Sequence, residues 1–101
     1  MLLNIARIRR HIDGMTATLF EADEKTQDAV ERCLERISEA ARKIGDALDE
    51  KYPKAELHKL RQLGSVLRHH SDDVAADLLW RSVTTRLDVL QAMCEAELGR
   101  S

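Results

Sequence analysis

Apolar residues in this chain recur at alternating intervals of three and four, a period that suits α-helices packed through one face each and little else. Ile5, Ile8, Ile12, Met15 and Leu19 form a first stripe, which predicts a helix from about residue 2 to Phe20. Val30, Leu34, Ile37, Ala41, Ile44 and Leu48 form a second. It follows a polar link in which Asp23 or Thr26 suits a helix cap, and it ends before Tyr52-Pro53, the clearest break in the chain. Leu60, Leu63 and Leu67 with Val66 make a shorter third stripe. Leu79, Val83, Leu87, Leu90 and Cys94 make a fourth, which fades at Leu98-Gly99. Four helices with short links predict an all-α fold, an up-down four-helix bundle of antiparallel neighbours.

Composition supports this and sets limits. A chain of 101 residues is one domain, 1–101, with a single core that is modest unless the helices pack well or the protein dimerises. Four Gly and one Pro leave little material for turns or strands, and a 44% hydrophobic content is too high for a disordered chain. The opening MLLNIARIRR turns basic at Arg7, too soon for a signal peptide or a membrane span. A cytoplasmic protein without membrane segments is expected. Cys33 and Cys94 lie far apart on apolar faces, which suits buried reduced thiols better than a disulfide. Phe20 and Trp80 sit beside apolar stripes as core or interface anchors, and Tyr52 next to Pro53 reads as loop packing.

Charge is distributed unevenly although the formal net is only −2. From Glu21 to Glu50 ten acidic residues face five basic ones. From Lys54 to His70, Glu56 stands alone against Lys54, Lys59, Arg61 and Arg68, with three His besides. Such a segment suits a phosphate-handling surface, although a solvated face is the commoner origin of a charge cluster. At about 100° per residue His58, Arg61, Ser65, Arg68 and His69 share one polar arc, opposite the third apolar stripe. His69 falls at the helix C-terminal end, where the macrodipole together with Asp72 and Asp73 favours the imidazolium form, the placement of a general acid. Ser71 or Asp72 is expected to cap the fourth helix. No pair among His58, His69 and His70 has the i, i+4 spacing of a helical metal site, so neither a metal nor another cofactor is expected.

Several blocks resemble the HepT-like branch of the HEPN families. GMTATLF with ADEKTQDAVERCLERISEA, residues 14 to 40, is similar to the family's GM, F, AD, TQDAV and I-G-E-A blocks, with Ser38 where the family usually has Gly. YP at 52 and 53 and DDVAADLLW at 72 to 80 follow at the expected intervals. The resemblance implies a HEPN-type bundle paired into a two-fold homodimer. It also implies a metal-independent ribonuclease toxin that works beside a nucleotidyltransferase antitoxin. The family's motif is R-N-x-x-x-H-x-Y, in which His serves acid–base cleavage and Arg holds the phosphate. Here Gly64 falls at the Arg, Ser65 at the Asn, His69 at the His and Ser71 at the Tyr that some such antitoxins modify with AMP. Only the histidine matches.

RNA cleavage by the 2′-hydroxyl needs a base, an acid and a cation for the charge that builds on phosphate. Arg61 and Arg68, three before and four after Gly64, lie on its helical row and are the expected substitutes for the missing guanidinium. Gly64 either leaves room for such a side chain or allows close packing at a dimer interface. Two functions follow from these residues. One is an endoribonuclease with His69 as acid–base, Arg68 or Arg61 as phosphate clamp and Ser65 in place of Asn. The other is a non-cutting HEPN module that binds RNA or a nucleotidyltransferase.

Overall fold

The longest apolar stripes become the two longest helices, α3 (Glu24–Ile44) and α5 (Ala76–Leu98), and the shorter elements pack around them. The computed structural model describes residues 1–69 and 75–99. Regular structure among these residues is helical throughout. Besides α3 and α5 it comprises α1 (Leu2–Ile12), α2 (Ala17–Glu21) and α4 (Leu57–His69), with a 3-10 turn at Pro53–Ala55 leading into α4. Helix α3 lies between α1 and α4, while α5 touches α1, α2, α3 and the 3-10 turn. The thin dimension is 19 Å, about two helix diameters, so each long helix keeps one face toward solvent.

The first stripe is two helices rather than one. Gly14 adopts φ 75°, a left-handed conformation that suits glycine, and Thr16 restarts the chain by accepting a hydrogen bond from the Leu19 backbone N–H at 3.2 Å. The restart rotates the register. Leu19, expected in the core, is 54% exposed, and Phe20 is fully buried in its place. The Phe20 ring meets Trp80 of α5 with centroids 5.2 Å apart, the spacing of a favourable tilted aromatic pair. Both residues are therefore anchors of one core.

The second stripe is correct as far as Ala41. Asp23 caps α3, accepting from the Thr26 backbone N–H at 3.1 Å and from its hydroxyl at 2.8 Å. The helix stops at Ile44 because Gly45 turns away at φ 70°, which leaves Ile44 largely exposed and puts Leu48 in the following turn. On α4 the buried face runs through Leu57, Leu60, Gly64 and Leu67, while Val66 is 41% exposed and Leu63 half-buried. That face is rotated from the expected one because Leu57 and Gly64 belong to it. On α5, Leu79, Val83, Leu87 and Leu90 are buried and Met93 closes the stripe, with Cys94 half-buried beside it. Both cysteines are free thiols, Cys33 buried. Ala75 holds the N-cap position of α5 and makes no side-chain cap bond. Ser71 and Asp72, expected to cap that helix, lie outside the described residues together with His70 and Asp73. No helix among the described residues is long and apolar enough to cross a membrane.

The break at Gly14 has a measurable consequence. Phe20→Ala should cost about 3–5 kcal/mol, whereas Leu19→Ala should change stability by no more than about 0.5 kcal/mol. Chemical denaturation of the two variants checks this, and a continuous first helix would reverse the order.

Candidate functional site

The two arginines of the α4 polar strip have different occupations. Arg61 donates through Nη2 to Asp49 Oδ2 at 2.6 Å and through Nη1 to Asp49 Oδ1 at 3.3 Å and to the Gly45 carbonyl at 3.1 Å. Its fork therefore ties α4 to the turn that ends α3, and the backbone carbonyl left over at a helix C-terminus is satisfied by the same group. The Arg61 guanidinium holds the Asp49 carboxyl below the usual carboxylate range, with the charge of His58 adding to the effect. A phosphate at Arg61 would have to displace this clasp.

Arg68 is placed otherwise. Gly64, between the two arginines, is buried against Ser38 of α3: a Cβ on Gly64 would lie 2.0 Å from Ser38 Oγ and 2.4 Å from Ser38 Cβ. Only a residue without a side chain allows the helices this approach. The close contact is within one chain, between α3 and α4. Ser38 is buried, and its hydroxyl donates to the Glu35 carbonyl at 2.9 Å. Ser38 and Gly64 thus meet face to face, and the absence of a side chain at 64 leaves the room that the serine occupies. Over this contact lies Arg68, with Nη1 3.5 Å from the point where a Gly64 Cβ would be. Its nearest carboxylate is Glu39, at 3.8 Å, beyond hydrogen-bond distance. Arg68 is tethered there and not locked.

A groove of about 460 Å³ opens at Arg68 across the outer face of α3, lined by Arg32, Arg36 and Lys43 with Glu35 and Glu39. Arg32 pairs with Glu35 at 3.1 Å. The Glu39 carboxyl is held below its usual range first by its hydrogen bonds from Arg42, with the charges of Arg68 and Lys43 adding to this. Arg36 and Lys43 have no ion pair among the described residues. The α3 cations were missed because they sit in the segment that reads as acidic. Their signal is spacing: 32, 36 and 43 are separated by four and seven, so they stand on one face of a helix whose acidic and basic residues are equal in number.

The groove has more cationic than anionic side chains, with donors on two helices, which is the chemistry of an anion-accepting surface. Ser65, His58 and His69 are exposed on α4 and do not line it. His69 is the last residue of α4 and follows Arg68 directly. Ser71, His70, Asp72 and Asp73 fall outside the described residues. Among the described residues no three His, Cys, Asp or Glu side chains converge as metal ligands do.

Comparison with known proteins places the chain in a family. The family model described as Ribonuclease HepT-like matches residues 1–97. A protein of Methanocaldococcus jannaschii named "Putative RNase" is 31% identical over 87 residues, a stretch that covers 86% of this chain and 72% of that one. No solved structure matches the chain.

Two outcomes test the geometry. Helix propensity alone predicts that Gly64→Ala stabilises the protein by about 1 kcal/mol, but overlap with Ser38 should cost about 1–3 kcal/mol and make the net change a loss. Ser38→Gly should relieve it, so a double-mutant cycle in denaturant should show strong coupling between the two sites. The second outcome concerns the clasp. A carboxyl with a depressed folded pKa contributes stability above its unfolded pKa and loses it as pH falls through the folded value. Asp49→Asn should therefore lower Tm at neutral pH, and the gap from wild type should narrow below about pH 4 in thermal melts.

Proposed function

The chain belongs to the HepT-like ribonuclease family, and from that premise we propose that it cleaves RNA without a metal, using the Arg68 groove to hold the scissile phosphate and His69 to move a proton. The observation that carries the proposal is the position of the Arg68 guanidinium directly over Gly64, where the family's arginine side chain is missing. In the reaction the 2′-hydroxyl attacks phosphorus and gives up its proton. The bond to the 5′-oxygen breaks, that oxygen takes a proton, and a 2′,3′-cyclic phosphate is left. Arg68 supplies charge to the phosphate oxygens during the step and His69 exchanges one of the two protons. Ser65 is an auxiliary hydroxyl at the position of the family's Asn. Arg61 is reserved for the clasp with Asp49 and contributes through the placement of α4.

The same premise supports a cytoplasmic role as the toxin of a toxin–antitoxin pair. The protein then works as a two-fold homodimer with a HEPN-type bundle in each copy, controlled by a nucleotidyltransferase antitoxin. A second reading is favoured by Glu39, whose carboxylate stands 3.8 Å from Arg68 inside the groove and opposes an incoming phosphate. On that reading the protein is a non-cutting module that binds RNA or its partner.

A gel assay on mixed RNA, with chelator present, separates the two. Wild type should cut and His69→Ala should not. Arg68→Ala should lower the rate by roughly 10²–10³-fold, the usual cost of removing one donor to a developing negative charge, with its thermal melt unchanged. Intact RNA after incubation with folded wild-type protein would leave the non-cutting module.

A further inference from the structure

Cleavage moves two protons, one off the 2′-hydroxyl and one onto the 5′-oxygen, and a single group at the end of α4 would have to visit both. The groove holds a second group for the task. Glu39 of α3 lines it and is the carboxylate nearest Arg68, with Oε2 3.8 Å from Arg68 Nη1. That gap is too long for a hydrogen bond, so a donor and an acceptor stand side by side without satisfying each other. The other carboxylate of the groove, Glu35, is paired with Arg32 at 3.1 Å. Glu39 is held in place by its own helix. Arg42 donates through Nε to Oε2 at 3.1 Å and through Nη2 to Oε1. A carboxylate offers about four lone-pair sites, so this fork leaves each oxygen able to accept once more. The charged groups around Glu39 are Arg68 from α4 and Glu35, Arg36, Arg42 and Lys43 from α3. The hydrogen bonds from Arg42 hold its carboxyl below the usual range, with the charges of Arg42, Arg68 and Lys43 adding to this, so it is ionised near neutral pH and free to take a proton.

A bare phosphate meets repulsion from this carboxylate. A phosphate with a hydroxyl beside it does not, because its oxygen accepts from Arg68 while the hydroxyl donates to Glu39. In a nucleic acid strand that pairing exists where a 2′-hydroxyl adjoins the 3′-phosphate, which is the mark of RNA. We propose that Glu39 is the general base of the reaction, taking the proton of the 2′-hydroxyl as its oxygen bonds to phosphorus, and that the same contact selects RNA over DNA. The bond to the 5′-oxygen breaks and that oxygen takes its proton from His69, so the acceptor stands on α3 and the donor on α4. At the end of the step Glu39 is protonated and His69 is neutral, and exchange with water restores both. This rests on the ribonuclease reading above and supplies the base that it leaves unassigned.

The test combines cleavage kinetics with binding. With chelator present, Glu39→Gln should cut RNA roughly 10²–10⁴-fold more slowly, the span of general acid–base catalysis. Its melt should match that of wild type, because the ion pair it weakens is exposed. In wild type the base sets the acidic limb of kcat/KM against pH. Arg42→Gln removes the chief cause of the depressed carboxyl and should move that limb to higher pH. Calorimetry reads the same contact without cleavage. Wild type should bind adenosine 3′-monophosphate about tenfold more tightly than its 2′-deoxy counterpart, the effect of one hydrogen bond to a charged group, and Glu39→Gln should lose most of that preference. Cleavage by Glu39→Gln at the wild-type rate or faster, a limb unmoved in Arg42→Gln, or equal binding of the two nucleotides by wild type overturns Glu39 as the base and leaves the groove reading standing. A folded wild type that cuts no RNA overturns both readings.

Discussion

The contact between Gly64 and Ser38 lets α4 approach α3 closely, and the placement of Arg68 at the mouth of the groove depends on it. Two helices normally pack with side chains from each filling the space between them, at axial separations of roughly 8–10 Å. Here one side chain is absent and the other is a buried serine whose hydroxyl is satisfied by its own helix through Glu35. The space above the contact is then free for Arg68, which folds back from the next turn over the position where a residue-64 side chain would emerge. A serine at 38 excludes a side chain at 64, and an empty 64 admits a guanidinium from 68. Ser38 and Gly64 are the two sides of one steric constraint.

That constraint alters how the charge is presented. An arginine rooted at 64 would rise from the helix–helix seam. Arg68 reaches the same place from the last turn of α4, tethered only by Glu39 at 3.8 Å. Arg61, with the same charge and an equivalent position on the helical row, is drawn to Asp49 and the Gly45 carbonyl instead. Which arginine faces the groove is decided by the nearest acceptor in space. Exposed ion pairs are weak and easily exchanged for another anion, whereas a forked pair that also satisfies a helix-end carbonyl is harder to displace.

The apolar period identified the helices and most of the core, because burial of one face is a local property of the chain. Ile5, Ile8, Val30, Leu34, Ile37, Leu60, Leu67, Leu79, Val83, Leu87 and Leu90 are all buried as the period requires. The period failed where a backbone residue overrode it. Gly14 and Thr16 interrupt a stripe that continues across them by accident of spacing, and the restarted helix buries Phe20 and not Leu19. Gly64 failed differently. A glycine shows no hydrophobicity, so its place on the buried face of α4 left no mark in the pattern, and Val66 took its place in the reading.

The sequence by itself determined an all-helical chain, the anchoring pair Phe20 and Trp80 as apolar residues beside their stripes, a basic α4, and the likeness to a ribonuclease family through ordered local blocks. Each is written in neighbouring residues, and helix periodicity translates it directly. The tertiary structure decided that Arg68 and not Arg61 opens onto the groove, and that Arg32, Arg36 and Lys43 of a helix neutral in sum form the groove's cationic wall. Charges summed along a segment lose the information that matters to a ligand, which is the sign of the groups on one face. That sign is fixed only when packed helices choose which residues turn outward and which carboxylates are near enough to neutralise them.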